Sequence, residues 1–319
     1  MRTRTEKVVE AGDGTLLHAR ETRGPRARGV PLICCNGIGV STIFWHFLED
    51  RFSPERPVIV WDYRGHGESE HPRDLEDLSI ESCAADLLAV LDAFGHERAV
   101  LLGHSMGCQV IYEVARRRPA RVLGLVPMLG TFGRPVHTFL DLETGSLVSF
   151  ALGRRIGLAL PELVSAGKRA LFCAPRARRF VSWFARASGL VQASMPQADL
   201  EAYLDHLAKQ SPVVFLKLAE RMATHSVGAH LDDLDVPCLV VAGERDVFTP
   251  LWLSEEIVAR LPRGRLFVLR EGSHAALVEQ PDAVHEAVAG FLAEHDFDAA
   301  AGAAAEALGA AAPAVARAG

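Results

Sequence analysis

The chain has 319 residues, 49% of them hydrophobic, and a formal net charge of −6. That length and apolar content suffice for one large core carrying an insertion, and the acidic balance argues against a general nucleic-acid binder. No window approaches the ~20 apolar residues of a membrane span, and the N-terminal MRTRTEKVVEAGDG lacks the apolar centre of a secretory signal.

Residues 31–35 (PLICC) and 57–61 (PVIVW) are short apolar runs bounded by polar or turn residues, and read as buried parallel strands. Cys34 and Cys35 lie inside the first run, where thiols serve as small core residues. The other four cysteines are scattered without a C-x-x-C pair, which predicts a reduced cytoplasmic protein without structural zinc. Residues 80–94 place Ile80, Cys83, Ala84, Leu87, Leu88, Leu91 and Phe94 at helical spacing, between an N-cap at Ser79 and a stop at Gly95. Further strands are expected at 99–102 (AVLL) and 122–128 (VLGLVPM). Alternating strands and helices predict the α/β class, with a mostly parallel central sheet covered by helices on both faces.

The alternation stops after residue 130. It resumes with a strand at 236–242, a helix near 252–261, a strand near 265–269 and a helix near 282–293. The expected division is a first core part over 1–131, a helical cap over 132–230 inserted after the sixth strand, and a second core part over 231–296. An Ala/Gly-rich tail over 297–319, with little to bury, is expected to be disordered.

Gly103-His104-Ser105-Met106-Gly107 stands between the strand AVLL and an amphipathic helix. A serine on so tight a strand-to-helix turn needs nearly side-chain-free neighbours two positions before and after it. The helix start also directs free N–H groups at the serine. A serine hydroxyl is a poor nucleophile near neutral pH, and needs a histidine to take its proton and a carboxylate to orient that histidine.

On these residues the chain resembles the α/β-hydrolase superfamily, in its serine esterase and lipase branch. The likeness spans about residues 5–130 and 232–294. It rests on Asn36-Gly37-Ile38-Gly39, on Asp62-Tyr63-Arg64-Gly65-His66-Gly67-Glu68-Ser69, on the turn at Ser105, and on two segments further along. The resemblance implies Ser105 as nucleophile, followed in chain order by the acid and then the base. Gly243-Glu244-Arg245-Asp246 follows a strand, and relatives place the acid at the second carboxylate, which selects Asp246 over Glu244. Glu271-Gly272-Ser273-His274 follows the last strand and implies His274 as general base, with Ser273 standing where many relatives have glycine. His104 and His66 read as scaffold rather than catalytic residues. The oxyanion donors implied are the backbone N–H groups of Met106 and Ile38, with Asn36 bracing the Ile38 loop.

The cap segment carries Phe132, Phe139, Phe150, Phe172, Phe180, Trp183, Phe184 and Tyr203. Most are expected in the cap core and some around the pocket, which favours an apolar acyl or aromatic ester. Residues 153–186 hold eight Lys and Arg residues against Glu162 alone. These read as a solvated face or as a weak contact to an anionic surface. The resulting expectation is a cytoplasmic hydrolase of a small-molecule or lipid-like carboxylic ester, acting through an acyl-enzyme with no metal and no cofactor. Hydrolysis of carbon–carbon bonds in ring-cleavage products, acyl transfer and non-catalytic ligand binding are the alternatives. The Asn-Gly-Ile-Gly loop adds polyhydroxyalkanoate-type polyesters to the candidate substrates.

Overall fold

The computed structural model describes residues 1–133 and 143–298, with 143–150 as helical backbone only. Two strands precede those the apolar runs predict. β1 (Thr3–Glu10) and β2 (Leu16–Arg23) form an antiparallel hairpin. β1 buries only Val9, so no apolar run marks it in the sequence. The predicted strands follow as β3 (Leu32–Cys35), β4 (Val58–Trp61), β5 (Ala99–His104), β6 (Val122–Met128), β7 (Cys238–Gly243) and β8 (Gly264–Leu269). They make one eight-stranded sheet in the order β1-β2-β4-β3-β5-β6-β7-β8. The β2–β4 pairing is antiparallel, and every pairing from β4 to β8 is parallel.

Side chains alternate across these strands and feed two separate cores. Ile33, Cys35, Ile59, Trp61 and Leu101 point to the face covered by α2 (Ile80–Ala93), α3 (Met106–Arg117) and α9 (Leu251–Arg260). Leu32, Cys34, Val58, Val60 and Leu102 point to the face covered by α1 (His46–Phe52) and, later in the chain, α11 (Pro281–His295). Burial on both faces explains why these strands read as unbroken apolar runs. Ser79 caps α2 by accepting from Ser82 N, as its position predicts.

After β3 the chain turns to β4 on one side, and after β5 it turns to β6 on the other. The loops leaving β3 and β5 therefore diverge at the C-terminal edge of adjacent strands. Such a switch point opens a crevice where parallel sheets hold ligands.

Among the described residues, five α-helices stand between β6 and β7: α4 (Glu143–Ala159), α5 (Pro161–Cys173), α6 (Pro175–Ala187), α7 (Gln197–Lys209) and α8 (Pro212–Thr224). Pro161, Pro175 and Pro212 each open a helix, where proline's missing N–H costs nothing. α7 and α8 bury Leu200, Leu204, Val214 and Leu218. α5 buries no residue, and α6 buries only Ser182. Phe180, Trp183 and Phe184 face solvent, unlike ordinary cap-core aromatics, because α6 turns its Arg178, Ser182 and Arg186 side inward. Phe139 and the Phe150 side chain lie outside the described residues.

The start of the expected tail is part of the core. The Phe297 ring is buried against Phe291 and His295. Asp298 Oδ1 accepts from Val30 N at 2.7 Å, and its carboxylate pairs with Arg56. An aromatic ring beside a carboxylate can anchor even where the following composition offers little to bury. The rest of that segment, 299–319, lies outside the described residues.

Candidate active site

Ser105 sits between β5 and α3 with φ 54° and ψ −116°, a conformation strained for a residue with a side chain. The turn is as crowded as its glycines imply. A Cβ on Gly103 would lie 2.5 Å from Gly107 O, and one on Gly107 would clash with the Cys35 carbonyl. This packing holds the strain in place and presents the Ser105 hydroxyl at the sheet edge.

His274 Nε2 lies 2.9 Å from Ser105 Oγ, and His274 Nδ1 lies 2.8 Å from Asp246 Oδ2. An ionised carboxylate only accepts, so Nδ1–H donates to Asp246 and Nε2 is left bare to accept from the Ser105 hydroxyl. Asp246 is buried and fully served. Oδ1 accepts from Phe248 N at 2.8 Å and Thr249 N at 3.0 Å, and Oδ2 also accepts from Thr249 Oγ1 at 2.7 Å. Burial alone would raise its carboxyl pKa, but the His274 ring and the Thr249 bonds outweigh this and hold it below the ordinary value. The three residues named from the sequence thus form one hydrogen-bonded chain. Glu244 is not part of it, because its Oε2 accepts from Glu271 N.

The loop carrying His274 is braced by contacts that no motif announces. Ser273 Oγ donates to Glu279 Oε1 at 2.7 Å, and Ser273 N donates to Glu279 Oε2. Gln192 N also donates to Glu279 Oε1 at 2.6 Å. Ser273 is therefore an anchor for this loop. His104 Nε2–H donates to His274 O at 2.9 Å from the opposite side. Burial, and then the neighbouring His274, push the His104 ring down to about 3, so it stays neutral.

Met106 is the first residue of α3, so its N–H has no acceptor within the helix. The Ile38 loop runs alongside. A Cβ on Gly37 would lie 3.1 Å from Ser105 Cβ. Asn36 braces this loop at both ends of its amide, with Nδ2 donating to Trp61 O and Oδ1 accepting from Trp45 Nε1, each at 2.8 Å. Tyr63 OH donates to Asn36 O at 3.0 Å.

His66 supplies a further tie. Its Nδ1–H donates to Arg64 O at 3.1 Å, leaving Nε2 to accept from Gly39 N at 3.3 Å and from Gln210 Nε2 at 2.6 Å. Gln210 stands between α7 and α8, and its carbonyl accepts from Lys168. The helical segment is thereby bonded to the Ile38 loop through one imidazole. Burial pushes His66 down to about 4, which keeps it the neutral acceptor this geometry needs. The sequence assigns His66 to a loop but carries no signal for Gln210. The Asp62 carboxylate closes the same motif, accepting from Thr42 N and Glu68 N.

One possible ligand set escapes the sequence spacing. Glu81, Glu113 and His225 bring ligand atoms within 4.8 Å of one another. Arg116 and Arg117 both pair with Glu113, so its charge is already compensated without a cation.

The strained serine turn, the hydrogen-bonded serine, histidine and aspartate, and the parallel sheet beneath them define the α/β-hydrolase class. The chain belongs to the alpha/beta hydrolase family, whose model matches residues 32–287. A protein of Pseudomonas savastanoi pv. phaseolicola named "Putative carbamate hydrolase RutD" is 27% identical over 252 residues, covering 78% of this chain and 88% of its own. The protein of the same name from Azorhizobium caulinodans is 28% identical over 268 residues, covering 84% and 93%. Among solved structures, a hydrolase from Pseudomonas aeruginosa PA01 has a TM-score of 0.70 at 24% identity, covering 90% of this chain and 98% of its own. The enol-lactonase from Burkholderia xenovorans LB400 also has a TM-score of 0.70, at 21% identity, covering 91% and 100%. At these identities the structures speak for the fold alone.

Proposed function

We propose that this chain is a serine hydrolase that cleaves a carboxylic ester with an apolar acyl or aromatic group. The observation that carries this reading is the chain from Ser105 Oγ through His274 to Asp246, with links of 2.9 and 2.8 Å. Ser105 attacks the carbonyl carbon while its proton passes to His274 Nε2. The carbonyl electron pair moves to oxygen, which the N–H groups of Met106 and Ile38 hold. Collapse expels the alcohol, which takes the proton from His274 and leaves Ser105 acylated. Water repeats the attack, the acid departs, and the Ser105 hydroxyl is restored. Asp246 stays ionised and keeps His274 in the tautomer that faces Ser105.

The segment over 132–230 acts in this reading as a cap. The bond from Gln210 to His66, the contact of Tyr203 with Phe44, and the half-burial of Phe172 and Tyr203 against the core support it. Six free cysteines, five of them buried, favour a reduced, cytoplasmic setting.

Carbamate cleavage is the second reading, favoured by the names of the relatives. It uses the same attack and differs in the nitrogen attached to the carbonyl. A panel of p-nitrophenyl esters of increasing acyl length, run beside p-nitrophenyl carbamates, tests both. A fluorophosphonate probe is expected to label the wild type and to spare Ser105→Ala. Labelling that survives in that variant overturns the assignment of Ser105.

A further inference from the structure

Helix α6 presents an unusual outer face. Phe180, Trp183 and Phe184 fall at i, i+3 and i+4, and are 59%, 62% and 51% exposed. The Phe180 ring lies 5.8 Å from Trp183 and 6.3 Å from Phe184, so the three form one patch. At 100° per residue, Arg176 falls on this same face and Arg179 flanks it one turn from Trp183, and both are exposed. The inward cations of the helix are used internally. Arg178 pairs with Asp205, and Arg186 donates to the carbonyls of Gln192, Ala193 and Met195. Arg176 and Arg179 have no carboxylate partner among the described residues.

The patch also sits in a strong charge asymmetry. Residues 143–187, which make up α4 to α6, hold eight Lys and Arg residues against Glu143 and Glu162, a net +6. The whole chain carries −6, so the remainder stands at −12. A contiguous exposed aromatic patch marks an interaction site. Aromatic rings that share a helix face with arginines suit a surface with an apolar interior and an anionic boundary.

We propose that the outer face of α6 docks on an anionic phospholipid bilayer. Phe180, Trp183 and Phe184 enter the level of the headgroups, and Arg176 and Arg179 meet the lipid phosphates. A second copy of the chain fits less well, because stacking one +6 segment on another is repulsive. The inference does not depend on the chemistry at Ser105, so it is tested apart from it.

The test is cosedimentation of the full chain carrying Ser105→Ala with two kinds of vesicle, phosphatidylcholine alone and phosphatidylcholine with about one third phosphatidylglycerol. The chain is expected to pellet with the anionic vesicles only, and to be released as salt rises to about 0.5 M. Each of Arg176→Gln and Arg179→Gln is expected to weaken binding by about fivefold, with an unchanged circular dichroism spectrum. Anionic vesicles are expected to shift the tryptophan emission to the blue, and Trp183→Phe to abolish that shift. A chain that stays in the supernatant with anionic vesicles at low salt overturns the proposal. So does binding that the arginine substitutions leave unchanged. Self-association that Trp183→Ser disperses, without vesicle binding, assigns the face to a second copy and overturns it equally.

Discussion

Glu244 Oε2 accepts a hydrogen bond from the Glu271 backbone N–H at 2.9 Å. Glu271 has a φ of 58°, in the left-handed region that a residue with a side chain seldom adopts. The Glu244 carboxylate thus holds the entrance to the loop that ends in His274. It is a brace between two loops, and this leaves Asp246 as the only one of the two nearby carboxylates that reaches the imidazole.

Replacing each carboxylate by its amide therefore separates two jobs. Asp246→Asn is expected to keep the fold while slowing ester turnover by up to about four orders of magnitude, because the amide no longer selects the productive tautomer. Glu244→Gln retains an acceptor for Glu271 N, and is expected to change turnover by less than about tenfold. Steady-state kinetics of both variants on one ester checks the pair. A dead Glu244→Gln beside a healthy Asp246→Asn reverses the assignment.

His66→Leu removes the acceptor shared by Gly39 N–H and the Gln210 amide, leaving two donors unpaired. The expected cost is about 2–6 kcal/mol of unfolding free energy, about 1–3 for each donor. Because the Ile38 loop loses its tie to the helical segment, kcat is expected to fall more than KM rises. Urea unfolding and single-substrate kinetics read the two effects. A variant with normal kcat and normal stability would remove His66 from the positioning role.

Acid lability follows from three histidines held neutral. Burial is the first cause in each case, and pushes His66 and His206 from 6.5 down to about 4, and His104 down to about 3. A histidine whose folded pKa is depressed binds its proton more readily in the unfolded chain. Its contribution to stability is full above pH 6.5 and is lost as pH falls toward the folded value. Each such group contributes a slope of up to about 1.4 kcal/mol per pH unit between these limits. Unfolding free energy is expected to fall between pH 6.5 and 5, with a smaller slope in His66→Asn. Urea titrations at several pH values check this, and a flat profile contradicts it.

Glu279→Ala strips the acceptor from Ser273 N, Ser273 Oγ and Gln192 N together. It is expected to lower stability by several kcal/mol, each buried donor left unpaired adding about 1–3 kcal/mol. Glu279→Gln keeps an acceptor oxygen, and is expected to recover much of the stability and the turnover. The ranking of melting temperatures and of kcat across the wild type, Glu279→Gln and Glu279→Ala measures how firmly this brace holds His274.

Treatment with EDTA is expected to leave ester turnover unchanged, since proton transfer between Ser105 and His274 needs no Lewis acid. The melting temperature is expected to stay constant too, because Arg116 and Arg117 already compensate Glu113 beside Glu81 and His225. Activity lost on chelation and restored by zinc would contradict both statements.

The sequence by itself determined the α/β class and the run of strands from β3 to β8. Burial on both sheet faces forces unbroken apolar segments such as PLICC and PVIVW, and these survive in one dimension. It also determined the position of Ser105, since the crowding at Gly103 and Gly107 is local to the turn. Asp246 and His274 were legible as residues following strand ends, which is again a local property. The tertiary structure alone decided what joins them. Residues 28 and 169 positions apart come within hydrogen-bond reach of His274. The bonds from Gln210 to His66, from Ser273 to Glu279 and from Asp298 to Val30 have no spacing that could announce them. The exposed β1 and the outward aromatics of α6 escaped for the same reason. Hydrophobicity records how apolar a side chain is, while which neighbour covers it depends on the packing of segments distant in the chain.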